Sequence, residues 1–453
     1  MIPAHQVVER ALAAAVADET IVLVTDTATA ALRWAGNTMT TNGVSTSRRL
    51  TVISIVRDGR VARVGSLSTA QVDPDDIPAL VGASAAAARG APPSRDAFPL
   101  LGAGTTPPDW ETPAPGTGVD AFGSVAADLA RGFTGPNMLY GFAHHVVETT
   151  WLATSTGVRR RHTQPTGSVE INAKRDGGSA WAGVSTPWFV DVPTEGMLAE
   201  LSMRLDWARR RVELPAGRYE TIMPPSTVAD MMIYLGWTMD GRGAQEGRTA
   251  LAAPGGGTRV GERLGDLGLT LYSDPDAPGL DCAPFVAAAS SSDTTSVFDN
   301  GLDVARVDWI RDGRINALAY PRAAAAEFDA PVAVGASNLL MTGGDGDLAG
   351  MVAATERGLL LTTLWYIREV DPTTLLLTGL TRDGVYLISD GEVTAAVNNF
   401  RFNESPLDLL RRATEAGRTE TTLPREWGDW FNRAAMPSLR IPDFHMSSVS
   451  QAQ

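Results

Sequence analysis

Five of the seven Asp-Gly pairs in this sequence lie near runs of β-branched or other apolar residues, and these five constrain the fold more than any other feature. They lie at residues 58–59, 176–177, 312–313, 383–384 and 390–391. An Asp-Gly pair between such runs favours a tight hairpin, because glycine tolerates the positive φ that a type I′ turn requires. Segments with a helical pattern lie between the predicted strands, but strands and helices do not alternate regularly. The sequence therefore predicts an α+β fold of antiparallel strands rather than a doubly wound parallel sheet.

Helical periodicity is clear in several segments between the strands. The predicted helices cover residues 5–16, 79–88, 119–130, 194–211, 227–235, 347–357 and 405–417. In the helix over residues 347–357, we expect Asp347 to cap the N-terminus and Gly358 to end the helix.

The length of 453 residues corresponds to about two or three domains. We place a boundary at the helix-breaking residues Pro215 to Gly217. This predicts an N-terminal α+β domain over residues 1–213 and a strand-rich, barrel-like C-terminal domain with a few helices over residues 214–453. Residues 91–118 are rich in Pro and Gly and are expected to form a loop or insertion.

The composition argues against several classes of function. A formal net charge of −14 repels phosphate backbones, so we expect no nucleic-acid partner, and the arginine runs at residues 159–161 and 209–211 are interpreted as solvated element ends. Cys282 is the only cysteine, which excludes an intrachain disulfide. No signal peptide and no apolar stretch long enough to span a bilayer is recognised, so a cytoplasmic location without membrane contact is expected.

No metal or nucleophile motif is complete. His144, His145 and Glu148 come closest to a metal site, but residues 142–146 alternate like a strand, so adjacent histidines would point to opposite faces. Cys282 would need His162 or His445 brought to it to act as a nucleophile. The glycine-rich loops at residues 255–257 and 342–350 lack the lysine of a phosphate-binding loop, and no G-x-S-x-G elbow is present.

A series of longer motifs is more informative than any single residue. In chain order they are LPAGRYE (214–220), IMPP (222–225), SVFDNG (296–301), ATERGL (354–359), TGLTRDGV (378–385), ISDGEV (388–393) and NNF (398–400). In this order and spacing they resemble the TldD/PmbA family, described as modulators of DNA gyrase and as TldD/TldE metallopeptidases. The resemblance covers most of the chain and is sharpest after Pro215.

The resemblance implies a complex in which one subunit carries zinc on an H-E-x-x-x-H helix together with a cysteine near the C-terminus. Here the corresponding helix has Ala229, Asp230, Ile233 and Tyr234 at the motif, and residues 426–429 (EWGD) supply no thiol. Zinc needs about three protein ligands to hold a catalytic water, and one carboxylate cannot replace them. We therefore expect a TldE/PmbA-like chain without a metal or other cofactor, with zinc in a partner subunit.

Such a chain is expected to complete a heteromeric peptidase that accepts extended or unfolded peptides. Aromatic, amide and guanidinium groups suit peptide contacts, and the candidate contact residues are Trp365, Tyr366, Arg368, Asn398, Asn399 and Arg401. Trp365, Phe400 and Phe402 could instead be core residues. Two other functions stay open: a peptidase active on its own through an unusual site, and a regulatory binding protein without hydrolytic activity. The choice between homodimer and heterodimer and the identity of the peptide also stay open.

Overall fold

A computed structural model describes residues 2–190 and 192–451. The first half forms a six-stranded antiparallel sheet in the order β3-β2-β1-β4-β5-β6. Its strands are β1 (Glu19–Ala35), β2 (Met39–Asp58), β3 (Val61–Thr69), β4 (Met138–Thr154), β5 (Arg159–Arg175) and β6 (Gly178–Ser185).

Four helices cover one face of this sheet. They are α1 (Ala4–Ala13), α2 (Ile77–Gly90), α3 (Gly123–Gly132) and α4 (Thr194–Trp207). Buried apolar side chains on alternate positions of β1, such as Val22 and Leu32, pack against these helices. Ile21 and Leu23 point to the other face, where they pack against Phe285 and Phe298 from the second half of the chain. The sheet is therefore sandwiched between its own helices and the second half.

The second half is built on a 14-stranded mixed sheet. Its strands are β7 (Arg211–Val212), β8 (Gly217–Met223), β9 (Leu271–Ser273), β10 (Val307–Arg311), β11 (Arg314–Ile315), β12 (Leu339–Met341), β13 (Arg357–Leu361), β14 (Leu364–Asp371), β15 (Leu376–Thr381), β16 (Val385–Ser389), β17 (Glu392–Val397), β18 (Phe400–Glu404), β19 (Glu415–Thr422) and β20 (Ala434–Val449). Its helices are α5 (Pro225–Trp237), α6 (Gly241–Gln245), α7 (Arg322–Phe328), α8 (Leu348–Ala353) and α9 (Pro406–Arg412). The strand-rich α+β prediction is confirmed.

The Asp-Gly pairs form hairpins at four of the five predicted places. Both residues have positive φ at residues 176–177 (51° and 75°), 312–313 (49° and 73°) and 390–391 (51° and 80°), as a type I′ turn requires. The pair at residues 58–59 joins β2 to β3. The prediction at residues 383–384 is wrong, because β15 pairs with β14 and β18 whereas β16 pairs with β13 and β17. There the Asp383 carboxylate is engaged by the Ser179 hydroxyl of the other sheet.

Two predicted helices end early because the chain continues as a strand. Asp347 caps α8 by accepting a 2.8 Å hydrogen bond from the Gly350 amide, as predicted, but Gly358 does not end that helix. It lies inside β13, which pairs with β8 and β16. Likewise α9 ends at Arg412, and the chain from Glu415 pairs with β20 as β19. In both places strand pairing overrides helical periodicity.

Residues 91–118 contain no helix or strand. The strands of the first sheet end at Ser185 and those of the second begin at Arg211, while the proposed domain boundary itself stays a prediction. Within the two described ranges, no helix is both long enough and apolar enough to cross a membrane.

Gly65 on β3 is expected to be essential for the packing of α2 against the sheet. A Cβ at Gly65 would lie 2.4 Å from the Ala88 amide nitrogen and 2.4 Å from the Ser84 carbonyl oxygen, both of which belong to the α2 backbone. Gly65→Ala should therefore lower the free energy of unfolding by about 2 kcal/mol or more. Chemical denaturation measures the change. Gly43→Ala in β2 is the matched control, because nothing lies within 4 Å of its Cβ. Equal stability of both variants would contradict this packing.

Candidate functional site

Helix α5 carries Ala229, Asp230, Ile233 and Tyr234, the four residues that the sequence resemblance places at the zinc-motif positions. Pro225 occupies the first helical turn, where its missing N–H costs nothing, and the helix ends at Trp237. Ala229 and Ile233 are fully or almost fully buried in the main hydrophobic core of the second half. Tyr234 is half-buried, and its ring centroid lies 5.8 Å from that of Trp427. Three of the four positions thus contribute to packing.

Asp230, the remaining position, is 0% exposed. Its Oδ1 accepts a 3.0 Å hydrogen bond from the Glu426 amide, and its Oδ2 has no hydrogen-bond partner within the described chain. Burial raises the pKa of the Asp230 carboxyl well above its usual range, and the nearby Glu426 carboxylate adds to this increase. The side chain is thus suited to be a neutral carboxylic acid rather than an anionic metal ligand.

Residues 425–427, hereafter the 425–427 segment, fill the space beside Asp230. The Trp427 indole donates a 2.8 Å hydrogen bond to the Asp230 carbonyl. The Arg425 guanidinium lies 4.8 Å from the ring centroid of Trp181 on β6 and 5.3 Å from that of Trp365 on β14. It is therefore held between aromatic rings from both sheets, at distances typical of cation–π contacts.

Two partly buried carboxyl groups balance the charge of Arg425. Asp383 Oδ2 lies 3.6 Å from Arg425 Nη2. Glu170 on β5 accepts a 2.9 Å hydrogen bond from the Trp181 indole, and burial raises the pKa of the Glu170 carboxyl, an effect that the positive charge of Arg425 opposes. Burial lowers the pKa of Arg425 itself, whereas Asp383 and Glu170 raise it. The cluster thus joins the two halves of the chain through one partly compensated cation.

Sequence reasoning missed most of this cluster. Glu170, Trp181 and Arg425 come from distant parts of the chain, and no spacing motif connects them. The sequence analysis named Trp365 only as a peptide-contact candidate and Asp383 only as part of an Asp-Gly pair, and it used the EWGD stretch at residues 426–429 solely to note that a thiol is absent.

Glu426 organises the neighbouring strand β14. Its carboxylate accepts hydrogen bonds from the amides of Tyr366 (2.8 Å) and Ile367 (3.0 Å), where the pairing of β14 with β15 is interrupted. Tyr366 has φ of 55°, an unfavourable left-handed conformation for a tyrosine, and is 54% exposed. Since β14 pairs only with β15 among the described strands, it is an edge strand. The Glu426 carboxylate therefore occupies two main-chain amides of this edge strand.

The structure separates the six candidate peptide-contact residues into two groups. Trp365 lies opposite Leu380, and Leu380 lies opposite Arg401, so Trp365 and Arg401 share one face of the sheet. Tyr366 and Arg368 lie near Trp365 on β14. Asn398 and Asn399 instead line a cleft of about 1330 Å³, together with parts of the first sheet. Phe400 and Phe402 are 0% exposed and belong to the core, whereas Trp365 is half-buried.

The histidines are dispersed. His145 lies on the helix-covered face of β4, where its ring nitrogens contact the Thr117 hydroxyl (2.6 Å) and the Pro187 carbonyl (2.9 Å). His144 and Glu148 alternate with it along β4 and are less buried. Burial lowers the pKa of both His144 and His145. In the chain as described, no three His, Cys, Asp or Glu side chains are grouped so that they could hold a metal ion.

Cys282 is buried, with 3% of the residue exposed. Burial raises the pKa of its thiol, although the Ser337 amide and the charge of Arg433 act in the opposite direction. A nucleophilic cysteine requires a lowered pKa and access to substrate, so this environment is that of a small core residue.

Asp230→Asn should stabilise the protein increasingly as the pH rises. The folded-state pKa of Asp230 is raised, so the wild type loses stability as pH increases from the unfolded value of about 3.9 towards the folded pKa. Each unit by which the folded-state pKa exceeds the unfolded-state pKa costs the wild type about 1.4 kcal/mol of stability at high pH. The neutral amide of the variant does not ionise and does not lose this stability. Denaturation of both proteins at several pH values measures the difference.

Asp75→Asn is the matched control, because it makes the same substitution at an exposed aspartate. A stability difference between wild type and Asp230→Asn that stays constant from pH 4 to alkaline pH would show that Asp230 has no raised pKa.

Comparisons with known proteins find a match over the second half of the chain. The family model of the PmbA/TldA metallopeptidase C-terminal domain matches residues 216–448, more than half of the chain. A comparison with curated protein sequences found no match.

Solved structures show the same fold over nearly the whole chain. TldE from Thermococcus kodakarensis has a TM-score of 0.78 at 17% identity, covering 97% of this chain and 98% of that chain. A proposed modulator of DNA gyrase from Bacteroides thetaiotaomicron has a TM-score of 0.75 at 15% identity, covering 98% of each chain. Another from Thermotoga maritima has a TM-score of 0.73 at 13% identity, covering 94% of this chain and 95% of that chain. From the family match, this chain belongs to the PmbA/TldD family.

Proposed function

We propose that this chain is the zinc-free, TldE/PmbA-like subunit of a TldD/TldE-type metallopeptidase complex that acts in proteolysis or peptide maturation. A zinc-bearing, TldD-like partner performs the hydrolysis. The observation that carries the proposal is the environment of Asp230: the one carboxyl group at the zinc-motif positions is fully buried and bonded to the 425–427 segment.

The residues present do not fit a zinc ion. Ala229 and Ile233 offer no donor atoms, and Tyr234 is a phenol whose pKa is raised by burial, which disfavours the phenolate that would bind a metal. The Arg425 charge near Asp230 would repel a divalent cation, since the two groups interact electrostatically. A hydrolytic zinc needs three protein ligands and an open coordination position. No hydrolytic step is therefore assigned to this chain.

Family membership and the similarity to a structure named TldE support assignment to this subunit type. The expected complex is a heterodimer or a larger assembly located in the cytoplasm. Extended or unfolded peptides are its substrates, because recognition through main-chain groups gives broad sequence tolerance.

The chain purified alone should contain no stoichiometric zinc and should cleave no peptide. Coexpression with a zinc-bearing TldD-like chain from the same genome should give a complex on size-exclusion chromatography that contains zinc and cleaves unfolded peptides. The matched control is the complex in which the partner's zinc motif is mutated, which should assemble without activity. Zinc held at one ion per chain by the isolated protein, with peptidase activity that copurifies with it, would contradict the proposal.

Arg368 and Arg401 test whether the surface around Trp365 contacts the peptide. The Arg368 side chain is 53% exposed, stacks 4.3 Å from the Tyr366 ring centroid and lies 3.2 Å from the Glu426 carboxylate. Arg401 is exposed, with Nη1 3.4 Å from the Thr378 hydroxyl. Replacing either by Ala should raise the KM of the assembled complex about threefold to tenfold, as expected for one lost polar contact, and should leave both subunits folded.

Arg263→Ala is the control for these variants, because this arginine is also exposed and, among the described residues, its side chain pairs locally with Asp266. Unchanged turnover and KM in both Arg368→Ala and Arg401→Ala would remove this surface from the peptide path.

A further inference from the structure

The Glu426 carboxylate occupies a site on β14 that has the chemistry of a carboxylate receptor. Its Oε2 accepts a 2.8 Å hydrogen bond from the Tyr366 amide, and its Oε1 accepts one of 3.0 Å from the Ile367 amide. The Arg368 Nη1 lies 3.2 Å from the same Oε1. Two main-chain donors and one guanidinium thus converge on both oxygens of a single carboxylate. Tyr366, Ile367 and Arg368 are hereafter the carboxylate nest.

The backbone conformation of Tyr366 creates this convergence. Its φ of 55° lies in the left-handed region, which is unfavourable for a tyrosine. In a regular antiparallel strand, successive amides point to opposite edges. At Tyr366 the residue's own amide and the next one instead point to one carboxylate, as in backbone nests that bind anions. The strained conformation therefore makes this part of the β14 edge a receptor for an anion.

The charges around the carboxylate nest suit an anion with a single negative charge. Arg368 supplies one positive charge, whereas the Asp230 carboxyl lies close enough to Glu426 for the two groups to interact electrostatically. Glu369, the next residue of β14, adds an acidic group beside Tyr234. These acidic groups repel a phosphate dianion more strongly than a carboxylate. A carboxylate also matches the contacts that Glu426 makes, because it presents two oxygens in one plane.

Release of the carboxylate nest requires only rotation of the Glu426 side chain. The Glu426 amide donates to Asp230, the Trp427 indole donates to the Asp230 carbonyl, and Arg425 stacks near Trp181. None of these contacts involves the Glu426 carboxylate, so they are retained when it turns away.

The carboxylate nest also borders solvent. The Glu426 side chain is only 7% exposed while it is bound, but the Arg368 side chain is 53% exposed and Tyr366 is 54% exposed. The Arg368 guanidinium lies 4.3 Å from the Tyr366 ring centroid, so the two side chains form one exposed rim. A ligand from solvent therefore reaches the nest past this rim.

We propose that the carboxylate nest binds the C-terminal carboxylate of a peptide, which takes the place of the Glu426 carboxylate. Glu426 closes the nest in the empty chain, and the peptide terminus displaces it. The class of ligand rests on the proposed function, in which the substrates are extended peptides of varied sequence. The terminal carboxylate is the anionic group that every unblocked peptide carries, and its capture by backbone nests is a known mode of peptide recognition.

The Glu426 carboxylate lowers the apparent affinity for a peptide, because only molecules with an empty nest can bind it. Glu426→Ala removes this competitor, retains the main-chain amide that donates to Asp230, and should lower the Kd for peptides about tenfold. Adding Arg368→Ala to this variant should raise the Kd again about threefold to tenfold, because the guanidinium contact with the carboxylate is lost.

The test uses the isolated chain and two pools of fluorescently labelled peptides that lack Asp and Glu. One pool ends in a free carboxylate and the other ends in an amide, and fluorescence anisotropy measures the Kd of each. Wild type and Glu426→Ala should both bind the free-acid pool about tenfold more tightly than the amide pool, because hydrogen bonds to a charged acceptor are stronger. Glu9→Ala is the matched control, since it removes a carboxylate on α1 that pairs with Arg159 at 2.8 Å, and it should leave both Kd values unchanged.

Equal binding of the two pools by Glu426→Ala would overturn the proposal. Absence of binding by wild type would also overturn it, because Glu426 would then be a permanent structural cap of β14. If Glu426→Ala does not fold, Glu426→Gln replaces it, and the comparison of the two pools on wild type decides by itself. These measurements do not involve the partner subunit, so their failure leaves the proposed function intact. Failure to form an active complex would instead reject the proposed function and leave the binding results unchanged.

Discussion

The structure depends on the burial of one guanidinium between the two sheets. The Arg425 side chain is only 10% exposed, and its charge cannot be removed by deprotonation at any ordinary pH. The surrounding groups must therefore compensate it in place. Trp181 and Trp365 provide aromatic faces, and Asp383 and Glu170 provide carboxyl groups. Because these partners come from both sheets, compensation of this charge also fixes how the two halves of the chain pack together.

This constraint explains why a metal site cannot simply be introduced on α5. The Glu426 amide donates a hydrogen bond to the Asp230 carboxyl, the Trp427 indole donates one to the Asp230 carbonyl, and Arg425 brings positive charge to the same region. Placing a divalent cation there would require displacement of the 425–427 segment, and with it the hydrogen bonds by which Glu426 holds β14. Introducing histidines at Ala229 and Tyr234 alone would therefore not create a zinc site. The 425–427 segment already fills the space, and the positive charge of Arg425 already lies beside it.

The sequence predicted local turns more accurately than it predicted the cluster of residues around Arg425. Asp176-Gly177 and Asp390-Gly391 form type I′ hairpins because φ preferences decide such turns locally. Asp383-Gly384 has the same sequence but no hairpin, since Asp383 is drawn into the contact with Ser179 and Arg425. The four residues that the resemblance aligns with a zinc motif could be named from the sequence because they lie close together on one helix, α5. The Arg425 cluster was not, because long-range packing alone brings Glu170 and Trp181 to it.

The two unusual regions of the chain are linked by one residue. Asp383 compensates Arg425 on one side and lines the cleft on the other. Its carboxylate is held by the Ser179 hydroxyl at the start of β6, so the cleft wall and the inter-sheet contact share an anchor.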